Sequence, residues 1–204
     1  MTALSASAAS LAAHGVAYAA PIARAAARNG LDPTLLAAVA AQETGGPGLN
    51  AGRNILGDGG HGHGLFQIDD RYHAFARRPA AMDPAQNAER AAEMLHGLLG
   101  RYGGDERAAL SAYNAGSPTA RGTTTRWADG SVLGYADSVL RHQTQIEDAR
   151  AELPSAAANA AGYAPQAAGP SPTIPLAPPP AARHGEQPWL DELAAETNAS
   201  TPTS

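Results

Sequence analysis

The chain has 204 residues, no cysteine and a net charge of −5, a size that suits one ordinary domain with a tail. The lack of cysteine excludes disulfides and thiolate metal sites, and the lack of a basic stripe argues against a nucleic acid partner. No apolar run approaches the roughly 20 residues needed to span a bilayer, so we do not expect an integral membrane protein.

The N-terminal segment has some features of a signal peptide. Residues 1–23 carry no charged side chain, and Ala17-Tyr18-Ala19 resembles a cleavage site. The segment lacks a positive n-region, however, and Ser5, Ser10 and His14 interrupt its apolar stretch. We therefore do not expect a cleaved signal.

Capping residues mark the first two predicted helices. The first is expected from about Val16 to Asn29, followed by a glycine. Asp32-Pro33 is typical of an N-cap followed by proline at the first helical position. The apolar spacing predicts that this second helix runs to Glu43, where Gly45-Gly46 end it.

Further helices are expected in the second half of the predicted domain. Asp83-Pro84 and Asp105 predict the starts of two helices, over about 84–102 and 106–113, and a last helix is expected over 135–151. Between the second and third helices, the glycine-punctuated segment 54–69 suits one small β-hairpin. These elements predict a mostly α domain of the α+β type over residues 1–152.

Residues 153–204 have a different composition. Ten of the sixteen prolines follow Ala151, and large apolar side chains are few. Such a segment buries too little surface to offset its ordering entropy, so we expect a flexible Pro/Ala-rich tail. A docking peptide around Trp189, Leu190 and Leu193 is the alternative.

Glu43 is the strongest candidate for catalysis. It lies four residues after Val39 and seven after Leu36, on the apolar face of the second helix. Desolvation there disfavours the charged carboxylate, and the negative end of the helix dipole acts in the same direction. Both effects raise the pKa of a carboxyl toward the value that a general acid needs near neutral pH.

Several separated motifs resemble the lysozyme-like superfamily, which cleaves peptidoglycan glycan strands. They are Ala41-Gln42-Glu43-Thr44, the glycine-rich stretch 57–73, and Ser111-Ala112-Tyr113-Asn114-Ala115-Gly116. Within the superfamily the glycine-rich stretch is most similar to goose-type lysozymes, and bacterial lytic transglycosylases come second. The resemblance extends over residues 18–146.

The resemblance implies a lysozyme-like fold and a muramidase that needs no cofactor. It implies cleavage of the β-1,4 bond between N-acetylmuramic acid and N-acetylglucosamine, with Glu43 as general acid. In goose-type enzymes two aspartates position the attacking water, and Asp58 and Asp69 occupy the matching positions. Inverting hydrolysis places that water between acid and base.

The resemblance also implies a set of substrate-binding residues. In the family the glutamine corresponding to Gln67 contacts the sugar beside the scissile bond, and the hydroxyl of Tyr113 is expected to approach Glu43. Tyr135 matches a tyrosine that faces the cleft. The complete set of expected binding residues is Thr44, Phe66, Gln67, His73, Tyr113, Asn114 and Tyr135.

Three alternatives remain open at this point. A lytic transglycosylase would use one glutamate as acid and then base, and would leave 1,6-anhydro ends. A non-catalytic glycan-binding or assembly component of a virion or secretion machine is the alternative of another class. His61 and His63 suggest a metal site, but the family pattern explains the glycine-rich stretch without metal. We expect a monomer whose partner is peptidoglycan. Because no cleaved signal is expected, phage delivery and non-classical export remain as routes to the cell wall.

Overall fold

The computed structural model describes residues 2–50 and 52–159, with side chains described as far as residue 148. Six α-helices form the bulk of this described part. They are α1 Ala3–Ala13, α2 Ala19–Arg28, α3 Pro33–Ala40, α4 Pro84–Arg101, α5 Glu106–Ala115 and α6 Tyr135–Asn159. The mostly α fold class predicted from the sequence is confirmed, and α6 continues beyond the predicted domain boundary at residue 152.

Helix α1 was not predicted, because its alanines and serines show no helical periodicity. The side chain of Thr2 caps it by accepting the N–H of Ser5 at 3.3 Å. Leu11 is buried and joins the core against the following helices. Tyr18, with a left-handed φ of 55°, then separates α1 from α2, which begins at Ala19 and corresponds to the first predicted helix.

Helix α3 begins as its cap residues predict. The Asp32 side chain accepts the N–H of Thr34 at 2.7 Å, and Pro33 occupies the first helical position. The end of the helix differs from the prediction, because a π-helical turn follows over Ala41–Gly45. Glu43 therefore lies in a widened turn and not in a regular α-helix. Such turns occur frequently at functional sites.

The glycine-rich segment forms a three-stranded antiparallel sheet in the order β1-β2-β3. The strands are β1 Ile55–Gly57, β2 Gly62–Gly64 and β3 Ile68–Asp69. The register pairs Leu56 with His63 and His63 with Ile68. The predicted hairpin is thus extended by a third short strand, which brings Asp69 beside the turn that carries Asp58.

A second hairpin was not predicted. Strands β4 Thr124–Arg126 and β5 Val132–Gly134 pair antiparallel, immediately before α6. Its strand residues have no regular apolar alternation, and its placement depends on long-range contacts. The amide of Gln42 donates to the hydroxyl of Thr125 at 2.8 Å, which links β4 to the π-helical turn.

Helices α4 and α5 begin at the predicted caps. The carboxylate of Asp83 accepts the N–H groups of Ala85 and Gln86, and that of Asp105 accepts the N–H of Ala108. One core joins all six helices, with Ile22, Leu36, Leu95, Leu110 and Ile146 fully buried in it.

Among the described residues, no helix is both long and apolar enough to cross a membrane. Residues 160–204 of the predicted tail, which include Trp189, lie outside the described residues.

Candidate active site

Glu43 combines a half-buried position with a specific hydrogen bond. The hydroxyl of Tyr135, the first residue of α6, donates to Oε1 of Glu43 at 2.6 Å. Burial raises the pKa of Glu43 from 4.5 to about 7, while the bond from Tyr135 acts in the opposite direction. The carboxyl can therefore hold a proton near neutral pH and also release it.

The π-helical turn is held by the residue after Glu43. The hydroxyl of Thr44 lies 3.1 Å from the carbonyl oxygens of both Ala40 and Leu65, and it accepts the N–H of Arg53 at 2.7 Å. The guanidinium of Arg53 also donates to the Thr44 carbonyl at 2.8 Å. Thr44 is buried and does not line the pocket, so its contacts position Glu43 instead of binding substrate.

Two tyrosines lie next to the carboxyl. The rings of Tyr113 and Tyr135 stack with centroids 6.4 Å apart and planes 17° apart. Burial, together with the negative charge of Glu43, raises the pKa of both hydroxyls, so both stay protonated. The sequence suggested Tyr113 as the partner of Glu43, but the hydrogen bond comes from Tyr135. The buried hydroxyl of Tyr113 has no partner within the described part of the chain.

An open pocket with about 300 Å³ of empty volume adjoins Glu43. The pocket gathers residues from the π-helical turn, the three-stranded sheet, α4 and α5. Its lining residues are Glu43, Phe66, Gln67, Ile68, Asp69, Tyr72, His73, Met94 and Tyr113. Of the predicted site residues, it therefore unites Glu43 and Asp69 with the expected binding residues Phe66, Gln67, His73 and Tyr113.

Gln67 is largely committed to the sheet. Its side-chain NH₂ donates to the carbonyls of Gly64 at 2.8 Å and Ile55 at 3.1 Å, which uses both hydrogens. A Cβ added at Gly57 or Gly62 would lie 1.9 Å or 2.5 Å from its Oε1. These two glycines are thus required by the close approach of the Gln67 amide, and Oε1 is the atom that Gln67 can offer to a sugar.

Arg71 connects the two candidate aspartates. Asp69 is buried and its carboxylate accepts the Arg71 backbone N–H at 2.8 Å, Nε at 3.0 and 3.1 Å, and Nη2 at 2.5 Å. The same Nη2 donates to Oδ2 of Asp58. Asp58 has a left-handed φ of 45° and does not line the pocket. The two carboxylates are therefore close together but share one cation.

A family model described as the transglycosylase SLT domain matches residues 20–129. That match covers more than half of the chain and includes Glu43, Asp58, Asp69 and Tyr113. The chain belongs to the transglycosylase SLT domain family. No curated protein and no solved structure matches it. Membership of this family indicates an enzyme that cleaves peptidoglycan, and hence a substrate outside the cytoplasm.

One further predicted binding residue of this SLT domain lies away from the pocket. Asn114 is buried, and its side-chain oxygen accepts the N–H of Thr123 at 2.9 Å. A Cβ at Gly122 would lie 2.4 Å from the same oxygen, so the loop before β4 packs closely on this amide. The contacts of Asn114 stabilise that loop and with it the start of α6.

His61 and His63 contact Asp70 instead of gathering several carboxylates. Nδ1 of His61 and Nε2 of His63 lie 2.8 and 3.1 Å from the two oxygens of Asp70. These two histidines lower the pKa of Asp70 through hydrogen bonds. Within the described ranges, no group of three or more histidines and acids is arranged to hold a metal ion.

The residues expected from the sequence do not include several residues of the SLT domain site, among them Ile68 and Tyr72 in the pocket lining. Arg71 stands two residues after Asp69, and an arginine so close to two candidate acids was the available signal. Met94 enters the pocket from α4, where its spacing resembles that of core residues. Asn87 is fully buried, accepts the N–H of Phe66 at 2.8 Å, and donates to the carbonyls of residues 63 and 81. Only the fold shows that it supports the pocket wall.

Proposed function

We propose that the protein cleaves the β-1,4 bond between N-acetylmuramic acid and N-acetylglucosamine in peptidoglycan, with Glu43 as general acid. The observation that carries this proposal is the half-buried Glu43 carboxyl, whose pKa of about 7 lets it hold a proton beside an open pocket. A catalytic acid is most effective when its pKa lies near the working pH.

In the first step, protonated Glu43 gives its proton to the glycosidic oxygen as the bond from C1 of the muramic acid to that oxygen breaks. The N-acetylglucosamine part leaves with a new hydroxyl. Glu43 becomes a carboxylate, and the Tyr135 hydroxyl, 2.6 Å from Oε1, stabilises this charge. Substrate contacts are proposed for the pocket residues Phe66, Gln67, His73 and Tyr113.

The second step decides the product, and we favour ring closure. In a lytic transglycosylase the C6 hydroxyl of the muramic acid attacks C1, and its proton passes to the Glu43 carboxylate. This returns Glu43 to the protonated form and leaves a 1,6-anhydro sugar. A group with a pKa of about 7 suits both proton transfers. No other residue of the pocket is needed as a base.

Inverting hydrolysis, the reaction predicted from the sequence, is the second candidate. It is supported by Asp69, which lines the same pocket as Glu43. The contacts of Asp69 with Arg71 weigh against it, because they occupy lone pairs that would otherwise accept a proton from water. Asp58 also pairs with Arg71, and it does not line the pocket.

We propose that this chemistry belongs to the domain predicted over residues 1–152. A purely glycan-binding or assembly role is less well supported, because binding alone gives no reason to keep a carboxyl half-buried. A binding protein gains nothing from the cost of desolvating that group.

The test is the Glu43→Gln variant, which keeps the size of the side chain but cannot donate a carboxyl proton. Its rate of peptidoglycan cleavage should fall at least about 100-fold, since general acid catalysis contributes that much or more. Glu89→Gln is the control, because Glu89 pairs with Arg28 and Asn29 outside the pocket and should keep the wild-type rate. A folded Glu43→Gln variant within tenfold of the wild type would refute the assignment.

Mass spectrometry of the products separates the two reactions, because an anhydro sugar is lighter than a hydrated one by the mass of one water. We expect mainly anhydro products from the wild type. Mainly hydrated products would be consistent with Glu43 as the acid, but they would show that the second step is hydrolysis and not ring closure.

A further inference from the structure

Arg71 occupies most of the hydrogen-bonding capacity of the buried carboxylate in the pocket. An ionised carboxylate offers about four lone-pair sites. Three donors of Arg71, its backbone N–H, Nε–H and one N–H of Nη2, reach the two oxygens of Asp69, and Nε–H is shared between both oxygens. A water molecule that approached Asp69 from the pocket would therefore compete with a charged donor that is already in place.

The same guanidinium also holds the second acid. Nη2 of Arg71 donates to Asp58 as well as to Asp69, so one cation pairs with both carboxylates. A lone pair that accepts an N–H of Arg71 is not open to a proton of water. A general base must reach the attacking water and take its proton, and these contacts hinder both requirements.

We propose that Arg71 determines the outcome of the reaction by withholding Asp58 and Asp69 from water, so that the muramic acid closes on itself. This inference rests on the ring-closing function proposed above. Arg71 is a positioning residue here, because it acts through the two aspartates and not on the sugar.

Removal of the guanidinium should open the hydrolytic route. Asp69 lines the pocket and Asp58 does not, so loss of the guanidinium would leave Asp69 as the carboxylate that a water molecule in the pocket can reach. That carboxylate would take a proton from water as the water oxygen bonds to C1. Glu43 would still protonate the leaving oxygen, so the atoms balance as in an ordinary hydrolysis.

The experiment compares the ratio of hydrated to anhydro products for the wild type and for Arg71→Met. A positioned general base accelerates a step by roughly 10²–10⁴, so even an imperfectly placed one should raise the ratio by about tenfold. Adding Asp69→Asn to Arg71→Met should return the ratio toward the wild-type value. The total cleavage rate is recorded separately, because a merely structural loss lowers the rate without changing the ratio.

Arg77→Met is the matched control. Its guanidinium donates to the backbone carbonyls of Asp70 and Arg71 in the same segment, but none of its hydrogen bonds goes to Asp58 or Asp69. Arg77→Met removes hydrogen bonds that support this segment but leaves Arg71 paired with Asp58 and Asp69. The ratio of hydrated to anhydro products of this variant should therefore equal that of the wild type. Arg71→Lys serves if Arg71→Met does not fold, and a smaller rise in the ratio is expected because lysine keeps the charge but not the fork.

The outcomes separate this inference from the proposed function. Anhydro products from the wild type, with an unchanged ratio in the folded Arg71 variants, would overturn the role of Arg71 alone. A rise that Asp69→Asn does not reverse would also overturn it. Hydrated products from the wild type would refute ring closure and the withholding role together.

Discussion

Replacing Tyr135 by phenylalanine tests how the fold sets the acidity of Glu43. The Tyr135 hydroxyl donates to Oε1 of Glu43 at 2.6 Å and stabilises the carboxylate form. Its loss leaves the effect of burial unopposed by that bond, so the pKa of Glu43 should rise above its wild-type value of about 7. The general acid would then stay protonated to higher pH.

The size of the shift follows from the strength of the bond. A hydrogen bond to a charged group contributes roughly 1.5–3 kcal/mol, and one pKa unit corresponds to about 1.4 kcal/mol. Because the pocket is open and water can replace part of the lost bond, we expect an upward shift of roughly one unit. The alkaline limb of the pH–rate profile should move by the same amount.

The assay is kcat/KM on soluble glycan fragments, measured across pH 5 to 10 for the wild type and for Tyr135→Phe. Tyr113→Phe is the control, since the Tyr113 ring stacks in the same site but its hydroxyl has no hydrogen-bond partner in the described structure. It should leave the alkaline limb in place. An unchanged limb in folded Tyr135→Phe, or a limb that moves to lower pH, would refute the reasoning.

Two further outcomes are expected. The folded wild type holds a proton on Glu43 up to about pH 7, whereas the unfolded chain releases it near pH 4.5. The contribution of this group to stability is therefore complete below pH 4.5 and is lost as the pH rises through 7. The free energy of unfolding of Glu43→Gln, measured in urea, should equal that of the wild type at pH 4 and exceed it by about 3 kcal/mol at pH 8. An equal difference at both pH values would contradict a buried carboxyl. A chain ending at Asn159 should cleave soluble glycan fragments at the wild-type rate, because every pocket residue precedes α6. A truncated chain that fails to fold would show that the predicted tail belongs to the domain.

The sequence by itself determined the local elements and indicated the candidate acid. Asp32, Asp83 and Asp105 cap α3, α4 and α5 where predicted, because a cap is made by contacts within three residues. The spacing of Glu43 from Leu36 and Val39 indicated an acid on an apolar face. These signals depend on neighbours along the chain and are therefore readable without a fold.

Tertiary structure decided which groups meet at the acid. The bond between Tyr135 and Glu43 joins residues 92 positions apart, and nothing local distinguishes Tyr135 from Tyr113 as the donor. Helix α1 likewise has no periodic pattern, and its Leu11 is buried only because other helices cover it.

The same distinction explains the aspartates. The goose-type resemblance implied that the pair holds water, but the folded sheet brings Arg71 within reach of both carboxylates. Burial and charge pairing set the basicity of a carboxylate, and both depend on groups that the complete fold assembles around it.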